Sequence, residues 1–298
     1  VDVPVTAVFI FLFILGAVGH MTLLQMNLKR RHKFILSGLM FGFCMARITA
    51  CVLRIVWATR PTDGPVAIAA QIFVAAGVVL LFVVNLMFAQ RIIRASHPTW
   101  GWHPVFSKAF VLIYALIVIT LVMLITTIVQ SSYTLNRNTR RIDRNIQLYG
   151  GTFNAVVGFV PILLVIAALI VPRTKPLEKF GTGRFRSQIY ILVIASALLT
   201  LGAAFRVGVN YTTPRPRNRP AWFHSKACFF IFNFLIEWVV IVFYLVVRVD
   251  LRFHVPNGST RAGDYSGQNA NHVASKDGGN GENNDNNGEE SLAEEKNL

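Results

Sequence analysis

Seven apolar runs recur along the chain, at roughly residues 3–28, 34–57, 66–90, 105–130, 150–172, 188–210 and 226–248. Each is near or above the ~18 residues that mark a membrane-crossing helix. The bilayer core has no water to satisfy backbone N–H and C=O groups, so a span must bond them internally, as a helix does. Polar connectors separate the runs, among them KRRHK, ATRPTDGP and RASHPTWGWHP. The longest covers residues 131–149, SSYTLNRNTRRIDRNIQLY. The pattern predicts an all-α integral membrane bundle of seven transmembrane helices over residues 1–255. From about Gly263 the chain turns to Asn, Gly, Glu and Asp with few large apolar residues. Such a stretch cannot bury enough surface to fold, so residues 256–298 are expected to be a disordered tail.

Charge gives the orientation. The whole chain carries +15, which in a soluble protein would suggest nucleic acid. Here the basic residues sit in short clusters between apolar spans, so a nucleic-acid partner is not expected. Fifteen Lys and Arg flank the spans on the side of the C-terminus and nine on the other side. The bias places the N-terminus outside and the C-terminus in the cytoplasm, in what is expected to be the plasma membrane. The outer loops, with Arg137, Arg140, Arg141, Arg144, Arg215, Arg217 and Arg219, are unusually basic for that side. No basic n-region and cleavage site mark a signal peptide in the first span. Asn210-Tyr-Thr abuts a span and Asn257-Gly-Ser falls on the cytoplasmic side, so neither sequon is expected to be glycosylated.

The second run carries two arginines inside its apolar sequence, Arg47 and Arg54. An arginine at membrane depth costs at least ~2.5–3.5 kcal/mol on insertion scales, so it faces protein or a wet cavity. Seven residues apart, the two share a face, with Arg54 roughly 10 Å further along the axis. Gly38, Gly42, Ala46 and Ala50 recur at steps of four, a spacing that lets a neighbouring helix approach. Glu237, in the middle of the last run, is the carboxylate expected inside a span, with Asn233 one turn before it. A buried carboxylate must be paired or protonated. Arg47 lies at comparable depth, so the two are expected to pair, with Arg54 and Arg206 lining an outer cavity. Removing Arg47 is expected to do more damage than Glu237→Gln. Asn85, His20 and Asn154 are further polar candidates inside spans, most simply as interhelical hydrogen bonds. Pro161 is expected to kink the fifth span. Trp57 and Trp222 on one side, and Trp100 and Trp102 on the other, fit the interfacial belts.

Several chemistries find no residues to carry them. The last span has no lysine beyond Lys226 at its very start, so none at depth for a retinal Schiff base, and no histidines pair across spans for two haems. Neither HExxH nor GxSxG occurs, nor a P-loop or a Cys/His metal cluster. Cys44, Cys51 and Cys228 fall in or at the spans and read as small packing residues. No catalytic residue, metal or cofactor is assigned, and an enzyme is not expected.

The segments VDVPVTAVFI, GAVGHMTLLQMN, HKFILSGLMFGFCMARI, VLRIVWATRP and VVNLMFAQRIIRASHPTWGW carry a resemblance. Over roughly residues 1–255 the chain resembles a fungal family of uncharacterised seven-helix membrane proteins, some labelled family C-like G-protein-coupled receptors. The resemblance implies a receptor-like protein with a cytoplasmic G protein as a candidate partner. Two familiar receptor signatures are absent: FAQRIIRA ends the third span without an Asp/Glu-Arg-Tyr triplet, and the last span has no Asn-Pro-x-x-Tyr.

Three readings follow. The first is a receptor-like protein sensing a small ligand in an outer-facing cavity. The second is a transporter or lipid exporter using the intramembrane Arg/Glu set. The third is a structural membrane protein without a ligand. A cavity closed at the cytoplasmic face favours the first, a continuous polar path the second, and a dry packed interior the third.

Overall fold

A computed structural model describes residues 2–30, 34–173, 176–212 and 221–266. It contains seven helices long and apolar enough to cross a membrane. They are α1 (Asp2–Lys29), α2 (Leu36–Thr59), α3 (Gly64–Ser96), α4 (Pro104–Tyr133), α5 (Arg137–Ile170), α6 (Phe185–Tyr211) and α7 (Lys226–Val246). The chain is an all-α, multi-pass membrane bundle. Arg31, Lys33, Lys175, Arg215, Arg217, Arg219 and the tail from residue 267 lie outside the described residues.

Consecutive helices pack side by side, and α7 returns to α1. The central helix is α3, which touches α2, α4, α5 and α6. Of its most apolar stretch 56% is buried, against 22% for α4, which shows most of its surface outward. Helix starts follow local chemistry. Pro65 and Pro104 sit in first turns, where a missing N–H costs nothing. Asn136 Oδ1 accepts from the N–H of Asn138, and Ser225 Oγ from that of Cys228.

Four expectations change. The connector 131–149 is mostly helix, because α5 begins at Arg137 under the Asn136 cap and extends as a polar prolongation of the span. Its Pro161 is buried inside one continuous helical segment. The small-residue ridge of α2 does not grip a neighbour at Gly42, where a Cβ would meet nothing within 4 Å. Close approach comes from α1 instead, with Gly16 against Ile241 and Cys44 and Gly19 against Leu245. α7 is not a regular helix, since residues Ile231–Leu235 form a turn of π-helix. Finally, residues 256–266, placed by composition in the tail, pack against the bundle. Tyr265 is buried against Trp102 and Phe180, and the N–H of Gly263 donates to Glu178 Oε1 at 2.8 Å.

At the end of the bundle that holds the C-terminal segment, the 176–184 loop crosses the turn Val249–Arg252, with the N–H of Thr182 donating to the carbonyl of Leu251 at 3.0 Å. Gly181 sits at φ +61°, and a Cβ there would lie 2.1 Å from the carbonyl oxygen of Arg252. Only glycine supplies both the left-handed backbone and that approach. Gln188 Nε2 donates to the carbonyls of Phe180 and Arg252, at 3.0 and 2.6 Å. At the same end Asp250 is buried and accepts from Asn27 Nδ2 at 3.1 Å and from Arg248 Nε and Nη2 at 3.0 Å each.

Burial alone would raise the pKa of Asp250, but the hydrogen bonds from Arg248 and Asn27 outweigh it and hold the carboxyl below its ordinary value. The stability contributed by a depressed carboxyl is fully present above its unfolded pKa of ~3.9 and is lost as pH falls through the lower folded value. Asp250→Asn should therefore lower the melting temperature near neutral pH and flatten its decline below about pH 4. Thermal melts of the detergent-solubilised protein across that range measure both effects. An acid limb unchanged in the variant would assign the decline to other groups.

Candidate functional site

The site is built where α2, α3, α6 and α7 meet at mid-depth. Arg47 is fully buried and pairs in two-pronged fashion with Glu237: Nε to Oε2 at 2.6 Å and Nη2 to Oε1 at 2.8 Å. Its third nitrogen, Nη1, donates to the backbone carbonyl of Val74 on α3 at 2.9 Å. The guanidinium also lies 5.3 Å from the ring centre of Phe43 and 5.6 Å from that of Phe234, within cation–π range. Planarity lets arginine serve carboxylate, carbonyl and rings at once, which a lysine point charge could not do.

Glu237 holds a second cation. Arg206 Nη1 donates to Oε1 at 3.0 Å and to the carbonyl of Phe232 at 3.4 Å. Phe232 belongs to the π-turn, where the i→i−4 ladder is interrupted. The bulge thus presents a backbone acceptor beside the carboxylate. Two glycines make the geometry possible. A Cβ on Gly77 would lie 3.3 Å from Arg47 Cζ, and one on Gly202 would lie 3.1 Å from the Phe232 oxygen.

Of the residues singled out in the sequence, Arg47, Glu237 and Arg206 come together. Arg54 does not reach Glu237; its guanidinium lies over Phe229 and Phe230, 4.1 and 5.3 Å from their ring centres. Asn233 turns from the pair and donates to its own helix at Phe229 O, 2.8 Å, because the π-turn alters the face that a four-residue step would share. Asn85 belongs to a separate layer, donating to Ser196 Oγ at 3.1 Å and accepting from the hydroxyl of Tyr244. His20 bonds through Nε2 to the carbonyl of Ile241 at 3.3 Å, joining α1 to α7. Sequence reasoning missed Gly77, Gly202, Ser196, Tyr244 and the π-turn. Only the mid-span glycines carried a local signal, and it did not distinguish them from Gly42.

Above this network, toward the end of the bundle where the N-terminus lies, is a cavity of about 530 Å³. Arg54, Trp57, Gln71, Gln147, Asn154, Arg206 and Asn210 supply its polar lining, with Ala50, Ala70, Val74, Val78, Leu124, Ile128, Ala203, Val207 and Phe229 among the apolar walls. Arg54 and Arg206 therefore line it as expected. Below it, Phe43 and Phe234 lie against the Arg47 guanidinium, and Phe13 packs edge-on against both rings. The next polar layer, at Asn85, lies eleven residues beyond Val74 on α3, roughly 16 Å along the axis. Leu81 and Phe82, both buried, come between the two layers on α3. No cluster of three or more His, Cys, Asp or Glu suited to a metal occurs among the described residues.

The network makes an ordering of variants. Without Arg47, Glu237 keeps Arg206. Without the Glu237 charge, two guanidiniums face each other in a desolvated site. Glu237→Gln should therefore be the more damaging change, reversing the order expected from a simple pair. Losing one partner of a buried pair costs ~3–5 kcal/mol. Arg47→Met combined with Glu237→Gln should be milder than the two singles summed, by about 0.5–3 kcal/mol. Melting temperatures and surface yields of the three variants measure the coupling. Additive losses would show that the pair does not act as one unit.

Gly77 and Gly42 give a contrast in sign. In a helix Ala is favoured over Gly by ~0.5–1 kcal/mol where its methyl has room. Gly42→Ala should stabilise by that amount. Gly77→Ala should destabilise, because Arg47 is fixed on three sides and cannot yield the few tenths of an ångström required. Paired melts test this, and equal shifts would contradict the packing around Arg47.

Comparison with known proteins adds one match. Residues 177–254, roughly a quarter of the chain, match the family model described as a protein of unknown function, DUF3112. The matched stretch holds α6 and α7, and so Arg206, the π-turn and Glu237, but not Arg47. No curated protein and no solved structure matches the chain. The match supports a domain of unknown function within an integral membrane protein, and no receptor or fungal assignment rests on it.

Proposed function

We propose that this chain is a receptor-like membrane protein that takes a small ligand into the cavity above Arg47, Glu237 and Arg206 and reports its presence at the opposite face. The observation that carries this reading is a sizeable cavity at one end of the bundle, separated by the packed layer of Leu81 and Phe82 from a second cavity of about 410 Å³ at the other end. At about 530 Å³ it falls in the ~300–1,000 Å³ range of small-molecule sites. A transporter of the kind weighed from sequence would call for polar groups continuing through the bundle. Here the charged floor and the Asn85 layer lie roughly 16 Å apart along α3, with Leu81 and Phe82 between. A purely structural bundle would not leave the cavity.

The same helices that build the floor run to the far end. α7 carries Glu237 at the floor and Tyr244 in the second layer, and it leads directly into the Asp250 turn. α3 carries Val74, Asn85 and then Arg91, whose Nη1 donates to the carbonyl of Phe253. A ligand that redistributes contacts at the floor therefore acts on elements that also shape the far face. The basic bias puts the cavity outside and the far face in the cytoplasm, where a G protein or another partner would read it. Plasma membrane residence follows from the same reading.

The test uses the full chain in liposomes, with Cys228→Ser removing the partly exposed thiol and Thr260→Cys carrying a fluorophore at the far face. A small-molecule library is screened for compounds that shift the fluorescence. The expected result is a saturable response, lost when Ala67→Trp, at a residue of the cavity wall, fills the cavity, without uptake of the compound into the lumen. Saturable uptake would overturn the reading in favour of transport. Binding that never reaches the fluorophore would overturn the signalling part.

A further inference from the structure

The charge of the cavity goes further than its size. Arg54 and Arg206 line it, and no carboxylate does so among the described residues. Glu237, just beneath, already accepts from two nitrogens of Arg47 and one of Arg206. Among the described residues, Arg47 and Arg206 share that one acid, and Arg54 lines the cavity beside them. Both described bonds of Arg206 leave from Nη1, and its side chain is 21% exposed, which leaves Nε and Nη2 to the cavity. Arg54 presents its guanidinium from the α2 side, stacked on Phe229. A cleft of one sign with low-dielectric walls concentrates the opposite charge.

The walls restrict which anion fits. Around the cations are Ala70, Val78, Leu124 and Ala203, with amides of Gln147 and Asn154 as neutral polar groups. An inorganic ion would leave most of this apolar surface uncovered. We infer that the cavity is a binding site for a carboxylate-headed amphiphile: a small organic acid whose carboxylate is received by Arg206 and Arg54 and whose apolar body lies against α3, α4 and α6. Guanidinium groups favour carboxylates because two parallel N–H donors match two oxygens. The inference rests on the small-ligand reading above and names the chemistry of that ligand.

The probe is decanoate, with decanol and decyltrimethylammonium as neutral and cationic partners of the same chain length and inorganic phosphate as a headgroup without a body. Radiolabelled decanoate is titrated onto the full chain in nanodiscs, and displacement by each unlabelled compound is measured. Saturable binding is expected, displaced by decanoate and not by the other three. Arg54→Gln should weaken it by roughly tenfold or more, since a charge-assisted contact is lost. Ala67→Trp should abolish it while the melting temperature holds. If Arg54→Gln fails to fold, the ligand series on the unaltered chain decides by itself. Equal displacement by decanol or decyltrimethylammonium would overturn the preference for a carboxylate and leave a small-ligand cavity standing. Displacement by phosphate alone would show an inorganic-anion site and overturn the amphiphile. Absence of saturable decanoate binding would overturn the inference, while the far-face fluorescence assay would still judge the receptor-like reading separately.

Discussion

Three ionisable side chains, Arg47, Arg206 and Glu237, sit at mid-depth in this bundle, and most of its architecture follows from keeping them satisfied. Taking a carboxylate or guanidinium out of water costs several kcal/mol per ion even after the protein relaxes. Here Glu237 receives three charge-assisted hydrogen bonds, and Arg47 spends its remaining donor on a helix carbonyl. Those bonds come from four different helices. Satisfying one carboxylate therefore fixes α2, α3, α6 and α7 in depth and rotation relative to one another. Apolar packing between membrane helices sets register only weakly, because lipid chains are as apolar as the helix surfaces.

The local irregularities read as consequences of that constraint. A regular α7 would use every carbonyl internally. The π-turn at Ile231–Leu235 offers the carbonyl of Phe232 to Arg206, and Gly202 lets it come close. Gly77 does the same for the guanidinium of Arg47 on α3. Both positions give up helix propensity of about 1 kcal/mol each to admit a polar group. The second layer, Asn85 with Ser196 and Tyr244, repeats the device without charge, again joining α3, α6 and α7. These three helices are therefore pinned twice, while α4 is held mainly by one face and turns the rest outward.

How much of this the sequence disclosed depends on the length scale of the signal. Seven spans were legible because an apolar run near eighteen residues has few other uses. The Arg47–Glu237 pairing was legible because the cost of an intramembrane charge leaves few alternatives and depth could be counted along each run. The Arg206 contact was not, since it depends on a π-turn that no residue type announces. For the same reason Asn233 was placed beside Glu237: a four-residue step gives one face only on a regular helix. Gly42 and Gly77 look alike in sequence, and only the neighbour across the gap separates them. The 256–266 segment was assigned to the tail on composition, yet a single aromatic, Tyr265, has a pocket formed by Trp102 and Phe180. Composition averages over a window and cannot see one anchoring side chain.

The distribution of charge also decides what the two ends of the bundle can do. At the far end the carboxylate Asp250 is matched by Arg248 and Asn27, and the loop at Gly181 is held by backbone contacts. Those polar groups are spent on one another, beside a second cavity of about 410 Å³ lined by Gln90, Arg91, Arg94 and Tyr265. At the cavity end Glu237 is shared by two arginines, and Arg54 lines the same cavity. A cation in a low-dielectric site is costly unless an anion compensates it. On the proposed reading, a carboxylate in the cavity gives Arg206 a second acceptor beside Glu237. Because Arg206 touches both the cavity and Glu237, occupancy changes the charge felt by the one carboxylate that holds four helices together. On that reading, ligand binding and helix register are coupled through Arg206.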